Sequence, residues 1–192
     1  DYDHDGDQDL ILTNGHPDDL IEQISSTLTH KEPLLLFENA GKGFHLVGPK
    51  AGEAFARSYP GRGLAIGDLD NDGHSDVVVA NNGEAPLLLR NTGGSSNRWL
   101  GLRLVGSTAN RQAIGATISW SVGGIKRSLL KASGGSYLSS HDPREVLGLG
   151  PAQKADWLEV RWPAPSQRVD RIENVAANRY YILQEGKPLA PD

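Results

Sequence analysis

The chain has 192 residues, with 23 Gly, 11 Pro, no Cys, no Met and a formal net charge of −5. Lacking cysteine, it has no disulfide framework, thiolate metal site or thiolate nucleophile, and its longest apolar runs, such as Leu34 to Phe37 and Val77 to Ala80, are far too short to cross a bilayer. Residues 1–93 carry 16 acids and 6 bases while residues 94–192 carry 8 acids and 13 bases, and nine of the first sixteen acids fall in two nine-residue windows, a clustering that a solvated face does not produce.

In chain order the first feature is an internal repeat. Asp1 to Leu12 matches Asp68 to Val79 at a displacement of 67, with carboxylates and glycine coinciding. Pro33-Leu34-Leu35-Leu36 then matches Pro86-Leu87-Leu88-Leu89 at a displacement of 53, which assigns the first copy an insertion of 14 residues, and Asn39 and Gly41 answer Asn91 and Gly93 at a displacement of 52. Within that insertion the apolar residues 20, 21, 24 and 28 follow helical spacing behind Asp18 and Asp19, so a short surface helix is expected over 18–28. The rest of residues 1–93 reads as strands at 10–13, 34–38, 43–47, 63–67, 76–80 and 86–90, separated by Asn-Gly or Gly-Lys-Gly turns. Repeats of this length with several strands each read as propeller blades, two copies being too few to close a ring.

Gly93 to Asn97 is the candidate linker, where strand pattern lapses and the charge changes sign. A second series of strands follows over 99–105, 116–122, 126–132, 145–149, 157–162 and 180–183. The expected fold is therefore all-β: a partial β-propeller over residues 1–93, then an antiparallel β-sandwich or barrel-like domain over 98–186.

The motif that carries chemistry is Asp-x-Asp-x-Asp-Gly-x-x-Asp, present at Asp1, Asp3, Asp5, Asp9 and again at Asp68, Asp70, Asp72, Asp76. Alternating carboxylates in a loop bent by glycine turn several hard oxygens toward one point, and the main-chain carbonyl of the seventh position, Asp7 or His74, can join them. That donor set suits Ca2+; Mg2+ keeps its waters and tolerates irregular geometry less well, and softer metals recruit His or Cys. An EF-hand needs a glutamate at position twelve and flanking helices, whereas here that position is Leu12 or Val79 inside a β-forming run, so the motif is a strand-loop-strand site. The first loop, which opens at residue 1, is expected to bind more weakly than the second. A motif already under way at residue 1 and the lack of methionine read as part of a longer polypeptide, with any leader upstream.

Together with Gly63 to Gly73, Leu88-Leu89-Arg90-Asn91 and Asn97 to Leu104, the later segments Ile114-Gly115-Ala116, Ser133 to Tyr137, Leu147 to Gly150 and Leu158 to Pro163 give a specific combination. On these residues the chain resembles the FG-GAP (VCBS-like) repeat proteins that end in an ASPIC/UnbV domain, the cartilage acidic protein-like family. The resemblance implies a secreted, periplasmic or cell-surface setting, calcium in the Asp loops and a propeller related to the integrin head. It implies no ligand for the C-terminal domain.

Other functions are weighed on their residues. The six histidines, 4, 16, 30, 45, 74 and 141, are scattered, and the crowded Ser133, Ser136, Ser139, Ser140, His141 and Asp142 read as a turn, because adjacent residues on a strand point to opposite faces. Trp99, Trp120, Trp157 and Trp162 invite a sugar-stacking face but more often mark a core or a sheet edge. The thirteen bases of the second half either hold an anionic glycan or face the acidic first half, and no basic stripe with interleaved aromatics points to nucleic acid. The expected function is a calcium-binding, non-enzymatic interaction module with a protein or glycan partner. The alternatives are a carbohydrate-binding module and an accessory part of a hydrolase.

Overall fold

A computed structural model describes every residue, Asp1–Asp192. In the first half the short β-forming runs become β1 (Leu10–Leu12), β2 (Glu32–Pro33), β3 (Leu35–Asn39), β4 (Phe44–Leu46), β5 (Ser58–Tyr59), β6 (Gly61–Gly67), β7 (Asp76–Asn81) and β8 (Leu87–Leu89). They form two three-stranded antiparallel sheets, ordered β1-β3-β4 and β6-β7-β8, plus a small β2-β5 ladder. Each Asp loop leads into one sheet, the first into β1 and the second, from β6, into β7.

Register corrects the repeat alignment. Leu10 pairs with Phe37 in the first sheet, and its counterpart Val77 pairs with Leu89 in the second. Phe37 therefore answers Leu89 at a displacement of 52, not 53, and the insertion is 15 residues long. Side-chain likeness of the two Pro-Leu-Leu-Leu runs misled by one position. What sets the register is Asp9 and Asp76, whose Oδ1 atoms accept the Asn39 and Asn91 main-chain N–H, each at 2.8 Å.

The helix expected over 18–28 shrinks to one turn, α1 (Ile21–Ile24). Asp18 uses its carboxylate in a local turn to the Leu20 N–H at 2.9 Å, and Ser25 Oγ accepts the N–H groups of Thr27 and Leu28, so polar side chains compete with the helix at both ends. Only Ile21 is buried, while Leu20, Ile24 and Leu28 stay exposed, which removes the packing that stabilises a short helix. Two turns not anticipated from the sequence, α2 (Gly48–Ala51) and a 3₁₀ turn at Glu53–Ala56, follow β4.

The second half contains β9 (Arg98–Val105), β10 (Thr117–Val122), β11 (Ile125–Leu130), β12 (Gly135–Ser136), β13 (Ser139–Ser140), β14 (Glu145–Gly150), β15 (Lys154–Arg161), β16 (Val169–Ala176), β17 (Tyr180–Gln184) and β18 (Ala190–Pro191). Two four-stranded sheets, β11-β10-β15-β16 and β14-β9-β17-β18, face each other as a sandwich. Pairing is antiparallel except between β9 and β17, which run parallel. Alternate residues of both sheets, among them Leu100, Leu102, Ile118, Trp120, Leu147, Leu158, Val160 and Leu183, fill one core of 17 buried residues. The first half has a far smaller core, Leu34, Leu64 and Val79.

The two halves are packed together. The Gly93–Asn97 connection is fastened to the first Asp loop, because Asn91 Nδ2 donates to Tyr2 O at 2.8 Å, and Ser95 Oγ and Asn97 Nδ2 donate to Asp3 O at 2.7 and 3.0 Å. The serine-rich segment read as a turn is the β12-β13 hairpin, which lies on β6 so closely that a side chain at Gly63 would meet Ser139 Oγ. Beside it the Asp142 N–H donates to Ile66 O at 2.8 Å, and the Ile66 N–H donates to His141 Nδ1 at 3.2 Å. The edge of β6 is thereby covered rather than left to pair with another chain.

Candidate metal centre

Both Asp loops take the same backbone path. His4 and Asn71, at matching positions, have φ of 63° and 61°, and Gly6 and Gly73 have φ of 94° and 93°, a left-handed conformation that glycine adopts without strain. The hydrogen bonds match as well. Gly6 and Gly73 donate to Oδ2 of Asp1 and Asp68 at 3.0 and 2.7 Å, and Tyr2 and Leu69 donate to Oδ2 of Asp9 and Asp76, both at 3.0 Å. Asp5 Oδ1 accepts the Asp7 N–H and Asp72 Oδ1 accepts the His74 N–H, each at 2.8 Å.

This path brings together Asp1, Asp3 and Asp9 in one loop and Asp68, Asp70 and Asp76 in the other, with one carboxylate oxygen of each residue within 4.8 Å of the others in its triplet. Asp5 and Asp72 are not in the triplets; they hold the turn. Asp7 lies outward, its Oδ1 3.7 Å from Arg127 Nε, and His74 stacks on His4 with centroids 4.7 Å apart. Arg90 pairs with Asp70 and stands 3.6 Å from Asp72.

The first triplet carries two marks of a site suited to a cation. Asp1, its side chain only 3% exposed, has a buried Oδ1 with no hydrogen-bond partner, and an unsatisfied buried carboxylate oxygen is costly. Burial, opposed by the Asp5 N–H and reinforced by the carboxylates of Asp5, Asp9 and Glu38, pushes the Asp3 carboxyl above its ordinary value. The all-oxygen donor set fits Ca2+. His4, fully buried, is held down to about 4 by burial and by the neighbouring His74, so it is neutral near pH 7 and belongs to the packing between the loops.

Residues of the second half complete the surroundings, and these the sequence reading missed. The Tyr180 hydroxyl donates to Asp68 Oδ2 at 2.5 Å, and burial together with Asp68 keeps it protonated far above ordinary tyrosine pKa values. Arg144 donates to Asp68 O at 2.7 Å and to Asn71 Oδ1 at 2.6 Å, and Arg127 donates to Asp5 O at 2.9 Å. Two of the thirteen bases thus face the acidic half. The opposed charges of the two halves were the one signal that pointed here; nothing local marks Tyr180.

Several of the residues considered for catalysis or sugar stacking have partners within the chain. Ser139 Oγ donates to Tyr137 O, His141 accepts from Ile66, and Asp142 clamps Arg144 through both carboxylate oxygens. Trp120 and Trp162 lie in the sandwich core, donating to Gly148 O at 3.1 Å and Asp170 Oδ2 at 2.8 Å, while Trp99 packs against Tyr180. Trp157 stands on the outer sheet face with the Arg171 guanidinium 4.2 Å and the Lys126 ammonium 5.8 Å from its ring.

Residues 1–79 match the family model described as FG-GAP-like repeat, and residues 106–190 match the model described as ASPIC and UnbV. No curated protein matches the chain.

Proposed function

The chain joins an FG-GAP-like repeat unit to a C-terminal ASPIC/UnbV domain, and on that premise we propose that it is a calcium-binding, non-catalytic interaction module of an exported protein. The observation that carries this reading is the pair of loops with one backbone path and one hydrogen-bond pattern, each gathering three carboxylates within 4.8 Å. Asp1, Asp3 and Asp9 hold one ion and Asp68, Asp70 and Asp76 the other, while Asp5 and Asp72 fix the turn and the carbonyls of Asp7 and His74 are available as further oxygens. Bound calcium offsets carboxylate repulsion and so favours the folded loops. No helix is long and apolar enough to cross a membrane, and loops of this type are suited to the calcium levels outside the cytoplasm.

A protein partner fits better than a glycan, since Trp99, Trp120 and Trp162 are buried and the Trp157 ring is already flanked by Arg171 and Lys126. Calorimetric melts of the whole chain test the calcium reading. Chelation should lower the melting temperature, calcium should restore it, and magnesium should restore it less well. Asp70→Ala should mimic chelation, whereas Asp7→Ala should have little effect on calcium uptake. A melt indifferent to chelator, with no calcium retained after gel filtration, sinks the reading. A glycan array that lights up with the chain and goes dark with Trp157→Ala would replace the protein partner by a sugar.

A further inference from the structure

The C-terminal domain reaches both Asp loops, and it does so through the atoms that set their shape. Asp68 is 3% exposed, and its Oδ2 is taken by the Gly73 N–H and by the hydroxyl of Tyr180 on β17. With Oδ2 held there, the orientation of the whole carboxylate is fixed from the C-terminal domain. Arg144 grips the same residue from behind, through the Asp68 carbonyl, while its guanidinium lies 4.6 Å from the Tyr180 ring centroid and is locked by Asp142. The first loop is held in the same manner. Arg127 donates to the Asp5 carbonyl, the Gly150 N–H donates to the His4 carbonyl at 2.8 Å, and Gly148 on β14 leaves just the room that the Asp1 carboxylate fills. Arg127 and Arg144 bond main-chain carbonyls in the loops, and Arg144 also the Asn71 side chain, so neither arginine occupies a triplet carboxylate; the one arginine that does is Arg90 of the first half, paired with Asp70. Asp1 Oδ1, buried and without a partner, is the atom that a cation in this arrangement would satisfy.

We propose that the ASPIC/UnbV domain is part of the cation sites, with Tyr180 as a positioning residue for Asp68, so that cation binding to the loops and docking of the C-terminal domain form one coupled equilibrium. The proposal rests on the calcium reading of the loops and adds the reciprocity that coupling requires: whatever docking does for cation affinity, the cation does for docking. A partner that pulls the C-terminal domain away would release calcium, and loss of calcium would loosen the domain.

The test uses the whole chain, stripped with chelator and titrated with calcium by calorimetry, alongside proteolysis of the Gly93–Asn97 connection. Tyr180→Phe keeps the ring against Trp99 and Arg144 and removes only the hydroxyl; it should weaken one of the two calcium sites by about five-fold or more and diminish the protection that calcium gives the connection. Tyr181→Phe is the control, because that hydroxyl donates to Ala176 O within the C-terminal domain; it should leave both affinities unchanged. Arg144→Gln should act in the same direction as Tyr180→Phe by loosening the Asp68 carbonyl. Calcium uptake by the unaltered chain with unchanged affinities in Tyr180→Phe and Arg144→Gln overturns the coupling alone. No uptake by the unaltered chain overturns the calcium reading and the coupling with it.

Discussion

The indole of Trp99 lies directly against Gly73, so that a β-carbon at that position would fall among the ring atoms Cε2, Nε1 and Cζ2. Gly73 thus meets two demands at once, a left-handed turn at φ 93° in the Asp loop and contact with the first strand of the sandwich. Gly6 meets a matching pair of demands in the first loop, a left-handed φ of 94° and close contact with Arg127 on β11, into which a β-carbon would run. Gly73→Ala should destabilise the chain by roughly 2–4 kcal/mol, from backbone strain plus overpacking. Gly83, at φ 71° with nothing within 4 Å of an added β-carbon, supplies the comparison; Gly83→Ala should cost about 1 kcal/mol from strain alone. Urea denaturation of both variants measures the difference, and equal losses would mean that the Trp99 contact carries no weight.

Acid sensitivity should arise in part from Glu185. Its side chain works against burial, which alone would raise the carboxyl, yet contacts from Ser166 and the N–H groups of Ala109, Ser107 and Thr108 lower it to about 2. The three N–H groups lie 2.9, 2.7 and 2.7 Å from Oε2. Because the folded-state value lies below the unfolded one, the stabilisation is complete above the unfolded value of 4.5 and is lost as pH falls toward 2. Glu185→Gln should lower stability at neutral pH and flatten the decline between these values. Stability measured by denaturant at successive pH values distinguishes this from an unchanged acid limb.

Lys131 is buried, its ammonium donating to Pro143 O at 2.5 Å and Glu145 Oε1 at 2.9 Å. These contacts anchor the segment that carries Arg144 to the second Asp loop. Removing one partner of such a pair strands the other, so Lys131→Ala should cost roughly 3–5 kcal/mol. Lys131→Met, which keeps the length of the side chain, should cost less when combined with Glu145→Gln than alone. A double-mutant cycle by urea denaturation reads the coupling, and strict additivity would show that the pair does not act as a unit.

Much of the architecture was legible because its signals are local. Alternating apolar residues marked β9, β10, β14 and β15, and the Asp-x-Asp-x-Asp-Gly spacing marked both loops with the backbone they adopt. Strand β16 was missed because Asp170, Arg171 and Glu173 break its apolar pattern; Asp170 is buried there, satisfied by Trp162, Arg168 and the Gly186 N–H. The helix over 18–28 had the right spacing but no surface to pack on. The carboxylate triplets could not be separated from Asp5 and Asp72 by spacing alone, since all alternate along the loop. Tyr180 was invisible because it lies 112 positions from Asp68 and no local pattern distinguishes it from its neighbour Tyr181.

The two halves should differ sharply in their capacity to fold alone. The 17-residue core lies wholly between Leu100 and Leu183, whereas the repeats bury a cluster of only three residues and rely on β12, β13 and the 141–142 segment to cover β6. The sandwich also uses residues beyond 186, since Ala190 and Pro191 pair with β17 and Leu189 packs on its core. Expressed as 98–192, it should therefore melt in one cooperative transition, and 98–186 should melt lower by the loss of β18. Residues 1–93 should give no cooperative transition without calcium, because so small a core cannot offset the conformational entropy of ordering the chain. Scanning calorimetry of the three segments decides the matter: a cooperative melt of 1–93 in chelator, or a non-cooperative 98–192, would show that stability is distributed in the opposite sense.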